Sequence, residues 1–180
     1  MSDKINPFEK KKKGVFFFKS SNPYEFYDLL NGKNMDDKQD VWGTLIFPEN
    51  AKKPCPLIIP IHGSAGLREG HHTHMVNLLD AGFAIFRIHH FESRGVISIV
   101  ENQTEVTLAS MITDAFRALT LVSKHPDVDS DKIGIMGWSL GGSTAFYAAW
   151  QPIIDTLTQN GEKFAACLLY TSPSPRDIGE

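Results

Sequence analysis

The chain is poor in cysteine, has no excess of basic residues and lacks any long apolar run. Its 180 residues include two cysteines, too few for the disulfide framework of a small secreted domain. A formal net charge of -3 gives no electrostatic signal for nucleic acid binding. No apolar segment approaches the length of a membrane span or a signal-peptide core, so we expect a cytoplasmic protein without a membrane partner.

The most informative motif is Gly-Trp-Ser-Leu-Gly-Gly at residues 137–142. An apolar run at 132–136 precedes it and a stretch of small residues at 143–150 follows, which predicts a strand, a sharp turn and a helix. On such a turn the hydroxyl of Ser139 projects from the carboxyl edge of a sheet, and the helix N-terminus favours negative charge there. We predict Ser139 as a nucleophile and the N–H of Leu140 as an oxyanion donor. The alternative is a glycine-rich turn in which Ser139 only caps the helix.

A second motif follows the apolar run at residues 54–61, which is typical of a strand buried on both faces of a parallel sheet. The run ends in His-Gly-Ser-Ala-Gly at residues 62–66, where small side chains leave backbone N–H groups accessible. In acyl-transfer enzymes with a nucleophile elbow, this loop supplies the second oxyanion donor. We predict Ser64 and Ala65 as candidate donors; an ordinary glycine loop is the alternative.

Together these motifs resemble the dienelactone hydrolase family of α/β-hydrolases. Further matching segments lie at residues 94–96, 114–119 and 125–129, in the order the family has them. The resemblance implies an α/β-hydrolase fold, with a mostly parallel sheet and helices on both faces. The enzymes that gave the family its name carry cysteine as nucleophile, where this chain has Ser139. This departure favours a serine esterase or a related acyl hydrolase.

The apolar pattern independently predicts strands alternating with helices. The predicted strands are 14–19, 41–47, 54–61, 83–88 and 132–136, with a lead-in to a sixth at 161–166. The predicted helices are one opened by Asn22 and Pro23, then 74–79, 107–124 and 143–150. The irregular stretch 91–105 exceeds an ordinary connection and is a candidate substrate-shaping loop.

Several side chains are candidates for a substrate pocket. His62 lies in the oxyanion loop, where its ring either holds the loop through hydrogen bonds or transfers a proton. His90 lies at the carboxyl end of a predicted strand, the edge at which α/β enzymes bind ligands, and is either a pocket residue or a polar residue at the strand end. Trp138 adjoins the nucleophile. Arg94 could hold a substrate carboxylate bidentately or form a salt bridge that fixes the long loop.

The remaining histidines carry weaker signals. The cluster at positions 71, 72 and 74 has no carboxylate or cysteine at metal-ligand spacing. We therefore predict no metal site, and no feature of the sequence calls for a cofactor. His125 precedes Pro126 and is expected on a surface turn.

The catalytic triad does not close within this sequence. In this fold an acid and then a histidine follow the nucleophile, yet no histidine follows residue 125. The acids after Ser139 are Asp155, Glu162, Asp177 and Glu180. Without a base, a serine hydroxyl stays protonated at neutral pH and is a poor nucleophile.

The last residues point to the reason for the missing triad members. From residue 167 the chain leaves the family pattern and resembles a translated sequencing adapter. We expect residues 1–166 to be a partial α/β-hydrolase domain, incomplete at its C-terminus, and 167–180 to be a non-native tail. The alternative is a genuine proline-rich C-terminal tail.

These observations define the expected function. The parent protein is expected to hydrolyse ester or lactone bonds of a small acyl substrate through an acyl-enzyme, while this chain itself is expected to be inactive. One alternative is a non-catalytic protein of the same fold that binds a small ligand. Another is an acyltransferase or peptidase that uses the same serine.

Overall fold

The computed structural model describes residues 7–9, 11–158 and 161–170. The strands of this part of the chain are β1 (Gly14–Ser20), β2 (Gln39–Ile46), β3 (Cys55–Ile61), β4 (Ala84–Ile88), β5 (Val128–Trp138) and β6 (Ala166–Tyr170). They form one sheet in the order β1-β2-β4-β3-β5-β6. β2 pairs antiparallel with β1 and β4, whereas β4, β3, β5 and β6 run parallel. The sheet is therefore mostly parallel, as predicted.

Helices cover both faces of this sheet. The α-helices of the described residues are α1 (Phe26–Leu30), α2 (Glu69–Asp80), α3 (Leu108–Val122), α4 (Leu140–Tyr147) and α5 (Gln151–Leu157). On one face Ile58, Ile85 and Met136 pack with Met75 of α2. On the other face the alternate strand residues pack with α3 in a larger core, because successive strand side chains point to opposite sides.

The first helix begins later than predicted. α1 starts at Phe26 rather than at Pro23. Asn22, the expected cap, instead bonds Gln39 and Arg94 through its carboxamide, at 3.0 and 2.8 Å. These tertiary contacts use the polar atoms that would have capped the helix, so the chain stays non-helical for another turn.

Two other helices begin earlier than predicted. α2 starts at Glu69 instead of residue 74, because the Nδ1 atom of His71 accepts the N–H of Arg68 at 2.9 Å and closes the first turn. α4 starts at Leu140, directly after Ser139, instead of at residue 143. The helix therefore begins immediately after the turn that carries Ser139.

The sixth strand extends past the predicted boundary at residue 166. Residues 167–170 belong to β6, which pairs with β5 at the edge of the sheet. Leu168, Leu169 and Tyr170 are each more than two-fifths exposed there. Residues 171–180 lie outside the described part of the chain, so the division of the chain at 166 stays a prediction.

His125 is buried rather than on a surface turn, contrary to expectation. One ring nitrogen, Nε2, donates to the carbonyl of Lys12 at 2.9 Å, and Nδ1 accepts the N–H of Asp127 at 3.0 Å. The ring also packs against Phe8 and Phe47. Burial lowers the pKa of His125 below its usual value, so the neutral ring joins the N-terminal segment to the start of β5.

Gly43 in β2 allows an aromatic side chain to pack across the sheet. A side chain added at Gly43 would overlap the ring of Phe86, which is fully buried in β4. By contrast, a side chain added at Gly70 in α2 would meet no atom within 4 Å. The two glycines therefore separate the cost of steric overlap from the intrinsic effect of replacing glycine.

We expect Gly43→Ala to lower the free energy of unfolding by about 1–3 kcal/mol, because Phe86 must leave its packed position. The same change at Gly70 should be neutral or stabilising by up to about 1 kcal/mol, because alanine favours helix. Urea denaturation of both variants measures the difference. Equal stabilities would contradict the packing described here.

Candidate active site

Ser139 lies between β5 and α4 in a strained backbone conformation. Its φ and ψ angles are 53° and -116°. A positive φ is unfavourable for a residue with a side chain and is often found where function requires it. The predicted strand–turn–helix arrangement is thus present around this serine.

The flanking glycines are required by the close approach of three backbone segments. A side chain at Gly137 would collide with the carbonyl of Gly141, and one at Gly141 would collide with the carbonyl of Ile61 in β3. No residue larger than glycine fits at either position without moving β3, β5 or α4 apart. The Gly-x-Ser-x-Gly spacing therefore follows from backbone packing at this turn.

The loop at residues 62–66, called the oxyanion loop after its predicted role, folds back as a tight turn beside Ser139. The carbonyl of Gly63 accepts the N–H of Gly66 at 3.0 Å and is 2.9 Å from Nδ1 of His62, which must carry the proton because a carbonyl only accepts. A Cβ placed on Gly63 would lie 3.7 Å from Oγ of Ser139. The oxyanion loop and the serine hydroxyl are therefore neighbours.

The backbone N–H groups predicted as oxyanion donors are those of Ser64, Ala65 and Leu140. Within the described residues, the N–H groups of Ser64 and Ala65 have no hydrogen-bond partner. Leu140 is the first residue of α4, where a helical N–H has no carbonyl one turn earlier. Because a trans peptide points its N–H opposite its carbonyl, fixing the Gly63 carbonyl inside the turn directs the N–H of Ser64 outward.

His62 is a neutral, buried ring at the start of this loop. Burial and, to a smaller extent, the nearby His90 lower its pKa to about 4, although the bond to Gly63 opposes the shift. The ring packs edge-on against Phe91, with 4.4 Å between centroids. With Nδ1–H committed to Gly63, His62 holds the loop, which is one of the two roles that the sequence left open.

Arg94 forms a bidentate ion pair with Asp114 of α3, at 2.8 and 3.0 Å. The side chain of Asp114 is fully buried and also accepts Oγ–H of Ser20 at 2.5 Å and Nδ1–H of His90 at 2.8 Å. Burial alone would raise the pKa of Asp114, but the Arg94 charge and the His90 hydrogen bond outweigh it and lower the pKa. The carboxylate is therefore ionised and fully committed to these partners.

The structure separates the alternatives that the sequence left open for Arg94 and His90. Arg94 forms the salt bridge with Asp114 and also donates to the His90 carbonyl. Its charge is therefore already paired within the protein and is not free to bind a substrate carboxylate. His90 is completely buried and does not line an open pocket, because Asp114 draws its ring inward. Trp138 packs against His71 and His74 of α2, at centroid distances of 4.4 and 5.7 Å.

Sequence reasoning missed the role of Asp114. It lies among the apolar positions of α3, where almost every neighbouring residue is buried. A carboxylate in a buried helical stripe needs a cationic partner, and this signal could have pointed to Arg94. Its other partners, Ser20 and His90, are distant in sequence and become visible only in the fold.

In the described part of the chain, no group of three or more His, Cys, Asp or Glu side chains is arranged to hold a metal ion. Among the same residues, no helix is both long and apolar enough to cross a membrane.

Comparison with protein families gives one clear match. A family model described as BD-FAE matches residues 44–168, well over half of the chain. A search of curated protein sequences finds no match.

Solved structures share the fold. The chain superimposes on a protein assigned as a dienelactone hydrolase from Klebsiella pneumoniae with a TM-score of 0.53 and 19% identity, covering 77% of this chain and 56% of that one. It also matches Est1E from Butyrivibrio proteoclasticus, solved with ferulic acid bound, with a TM-score of 0.50 and 25% identity over 63% and 45% of the two chains. A dienelactone hydrolase-like promiscuous phosphotriesterase from metagenomic libraries aligns with a TM-score of 0.52 and 15% identity, over 87% and 81%.

These likenesses confirm the predicted α/β-hydrolase fold. The chain spans about half the length of the first two proteins, 56% and 45%.

The neutral state of His62 makes stability depend on pH. Unfolded His62 binds a proton below about pH 6.5, whereas the folded ring resists protonation down to about pH 4. Its contribution to stability is therefore complete above about pH 6.5 and falls by about 1.4 kcal/mol per pH unit below it. In His62→Asn, whose amide can still donate to Gly63, the free energy of unfolding should fall less steeply between pH 7 and 5.

Urea titrations of His62→Asn across this pH range, with the exposed His72→Asn as a matched control, measure the change. His72→Asn should keep the slope of the unmodified protein. If both variants retained that slope, His62 would not be a buried neutral ring.

Removing the charge of Asp114 should be much more costly than removing an exposed one. Asp114→Asn leaves the Arg94 guanidinium buried without a counter-ion, and we expect a loss of about 3–5 kcal/mol in the free energy of unfolding. Asp36→Asn breaks only the exposed pair with Lys38, which solvent screens, so a much smaller loss is expected. Denaturant unfolding compares the two, and similar losses would show that the ion pair is not a structural anchor.

Proposed function

We propose that the protein is a serine hydrolase that acts on ester or lactone bonds. The chain belongs to the BD-FAE family and has the α/β-hydrolase fold, which support this proposal. The observation that supports this most directly is the strained backbone of Ser139 beside unpartnered N–H groups. A turn that only capped a helix would need neither the strain nor the free donors. The substrate proposed is a small acyl compound.

The proposed reaction proceeds through a covalent intermediate. Oγ of Ser139 attacks the substrate carbonyl, and the resulting oxyanion accepts hydrogen bonds from the N–H of Leu140 and from the Ser64–Ala65 region. The N-terminus of α4 adds a partial positive charge at the same place. Collapse of the tetrahedral species breaks the bond to the alcohol oxygen and leaves an acyl-enzyme, which water then hydrolyses.

The described histidines near the site do not supply an obvious general base. Burial and the nearby His90 lower the pKa of His62 to about 4, so its ring is a weak base at neutral pH, and the ring of His90 is completely enclosed beside Asp114. No histidine follows Ser139 in the sequence. We therefore propose that these 180 residues alone acylate slowly, and that a base added in solution accelerates the reaction.

A fluorophosphonate probe with imidazole as the added base tests this proposal. In the labelling step the bond from Oγ to phosphorus forms, fluoride leaves, and imidazole takes the hydroxyl proton. Labelling should be slow without imidazole and should rise with its concentration. Mass spectrometry of the labelled peptide places the probe, which should be on Ser139.

Two variants serve as controls for the labelling. Ser139→Ala should abolish it, whereas Ser143→Ala, one turn further along α4, should leave it unchanged. Absence of Ser139 labelling at all imidazole concentrations would favour the non-catalytic ligand-binding alternative. Rapid labelling without imidazole, in a monomeric and cooperatively melting chain, would contradict the proposed lack of a base.

Assays with different substrates and acceptors can identify the acyl group and the molecule that receives it. Est1E, at 25% identity, was solved with ferulic acid, so esters of hydroxycinnamic acids are suitable first substrates beside simple acetyl esters. Transfer of the acyl group to an added alcohol or amine in preference to water would support the acyltransferase alternative, and cleavage of amides the peptidase alternative.

A further inference from the structure

The segment from residue 91 to residue 106, which joins β4 to α3, contacts the oxyanion loop at three places. Its first residue, Phe91, packs against the ring of His62. Its middle part, residues 97–99, contacts Ser64 and Gly66. From the sequence, residues 91–105 are a candidate substrate-shaping loop. In the structure, residues 97–99 contact the backbone of the oxyanion loop.

The strongest of these contacts fixes the carbonyl of Ser64. The N–H of Ile99 donates to it at 2.8 Å, and Oγ–H of Ser98 donates to it at 3.3 Å. Since a trans peptide points its N–H away from its carbonyl, these two hydrogen bonds also set the direction of the N–H of Ala65. The Gly63 carbonyl is held separately, by His62 and Gly66, so both peptide groups on either side of Ser64 are fixed.

Gly66 shows how closely the two segments approach. Its φ angle is +75°, and a Cβ at this position would lie 2.7 Å from the carbonyl oxygen of Ile97. Only glycine adopts this conformation readily and also leaves room for that carbonyl. The contact therefore excludes larger residues from the end of the oxyanion loop.

The segment is anchored to the protein interior on both sides of this contact. The side chains of Ile99 and Val106 are each only 1% exposed and belong to the main core. Arg94 ties the start of the segment to Asp114. The neighbours Ile97 and Val100, in contrast, are 87% and 60% exposed, so burial is confined to the positions that hold the segment down.

We propose that residues 91–106 act as a brace for the oxyanion loop, with Ser98 and Ile99 as positioning residues for the reaction at Ser139. Because Ile99 is packed in the core, its hydrogen bond to the Ser64 carbonyl holds the backbone N–H groups that are proposed to receive the substrate oxygen. This inference rests on the proposed function for its catalytic meaning. Its structural content, a fixed Ser64–Ala65 peptide, can be measured separately.

Amide hydrogen exchange, measured by NMR, tests the structural content. The N–H of Ile99 should be protected in the unmodified protein, although its neighbours are exposed. Ile99→Ala, which removes the core anchor but keeps the donor, should speed exchange at this amide by about tenfold. Val100→Ala, the adjacent exposed position, is the matched control and should change nothing. An unprotected Ile99 amide in the unmodified protein would overturn the brace.

A comparison of two phosphorus probes tests the positioning role. A fluorophosphonate presents a P=O oxygen to the oxyanion loop, whereas its P=S analogue presents a sulfur that accepts hydrogen bonds weakly. With imidazole as base, Ser98→Ala and Ile99→Ala should each lower the P=O to P=S ratio of labelling rates, by about tenfold for Ile99→Ala and less for Ser98→Ala. Ser98→Thr, which keeps the hydroxyl, should restore the ratio.

The outcomes separate the brace from the function on which it rests. A loss of labelling that is equal for both probes would mean that the variants only destabilise the protein, and would overturn the positioning role. Ser98→Ala removes one exposed hydroxyl, so it decides the question even where Ile99→Ala fails to fold. Absence of Ser139 labelling together with a protected Ile99 amide would contradict the proposed function, and with it the catalytic role of the brace.

Discussion

The buried ion pair between Arg94 and Asp114 holds together parts of the chain that are far apart in sequence. Its carboxylate also receives Ser20 from the end of β1 and His90 from the end of β4. A buried carboxylate is stable only when both of its oxygens accept hydrogen bonds, so the positions of Arg94, Ser20 and His90 depend on one another. The cluster therefore joins the carboxyl ends of β1 and β4 to α3, at the same edge of the sheet as Ser139.

Much of the fold could be predicted because its signals are local. Continuous apolar runs predicted the central strands, and the Gly-Trp-Ser-Leu-Gly-Gly sequence predicted the turn, since only glycine permits the approach of Gly141 to Ile61. The match to the BD-FAE family and the dienelactone hydrolase-like neighbours confirms the resemblance stated from the same residues. Steric rules of this kind act over a few residues and can be read directly.

Polar side chains account for most of what could not be predicted. Asn22 looked like a helix cap but bonds Gln39 and Arg94, and His125 looked exposed but is enclosed by aromatic rings. Hydrogen-bonding side chains choose partners by position in the fold, and sequence spacing carries little information about that choice. The nucleophile and the oxyanion donors stay predictions. The sequence offered His62 and Arg94 as residues that hold the loops near them, but it gave no sign of Asp114 or Ile99 in that role.

The backbone angles of Ser139 have a consequence for how nucleophiles can change in this fold. The strain belongs to the main chain and to the glycines at 137 and 141, and no hydrogen bond made by the hydroxyl is needed to maintain it. A thiol at the same position would meet the same helix end and the same N–H groups. A change between serine and cysteine at residue 139 would therefore alter the reacting atom without requiring any rearrangement of the sheet.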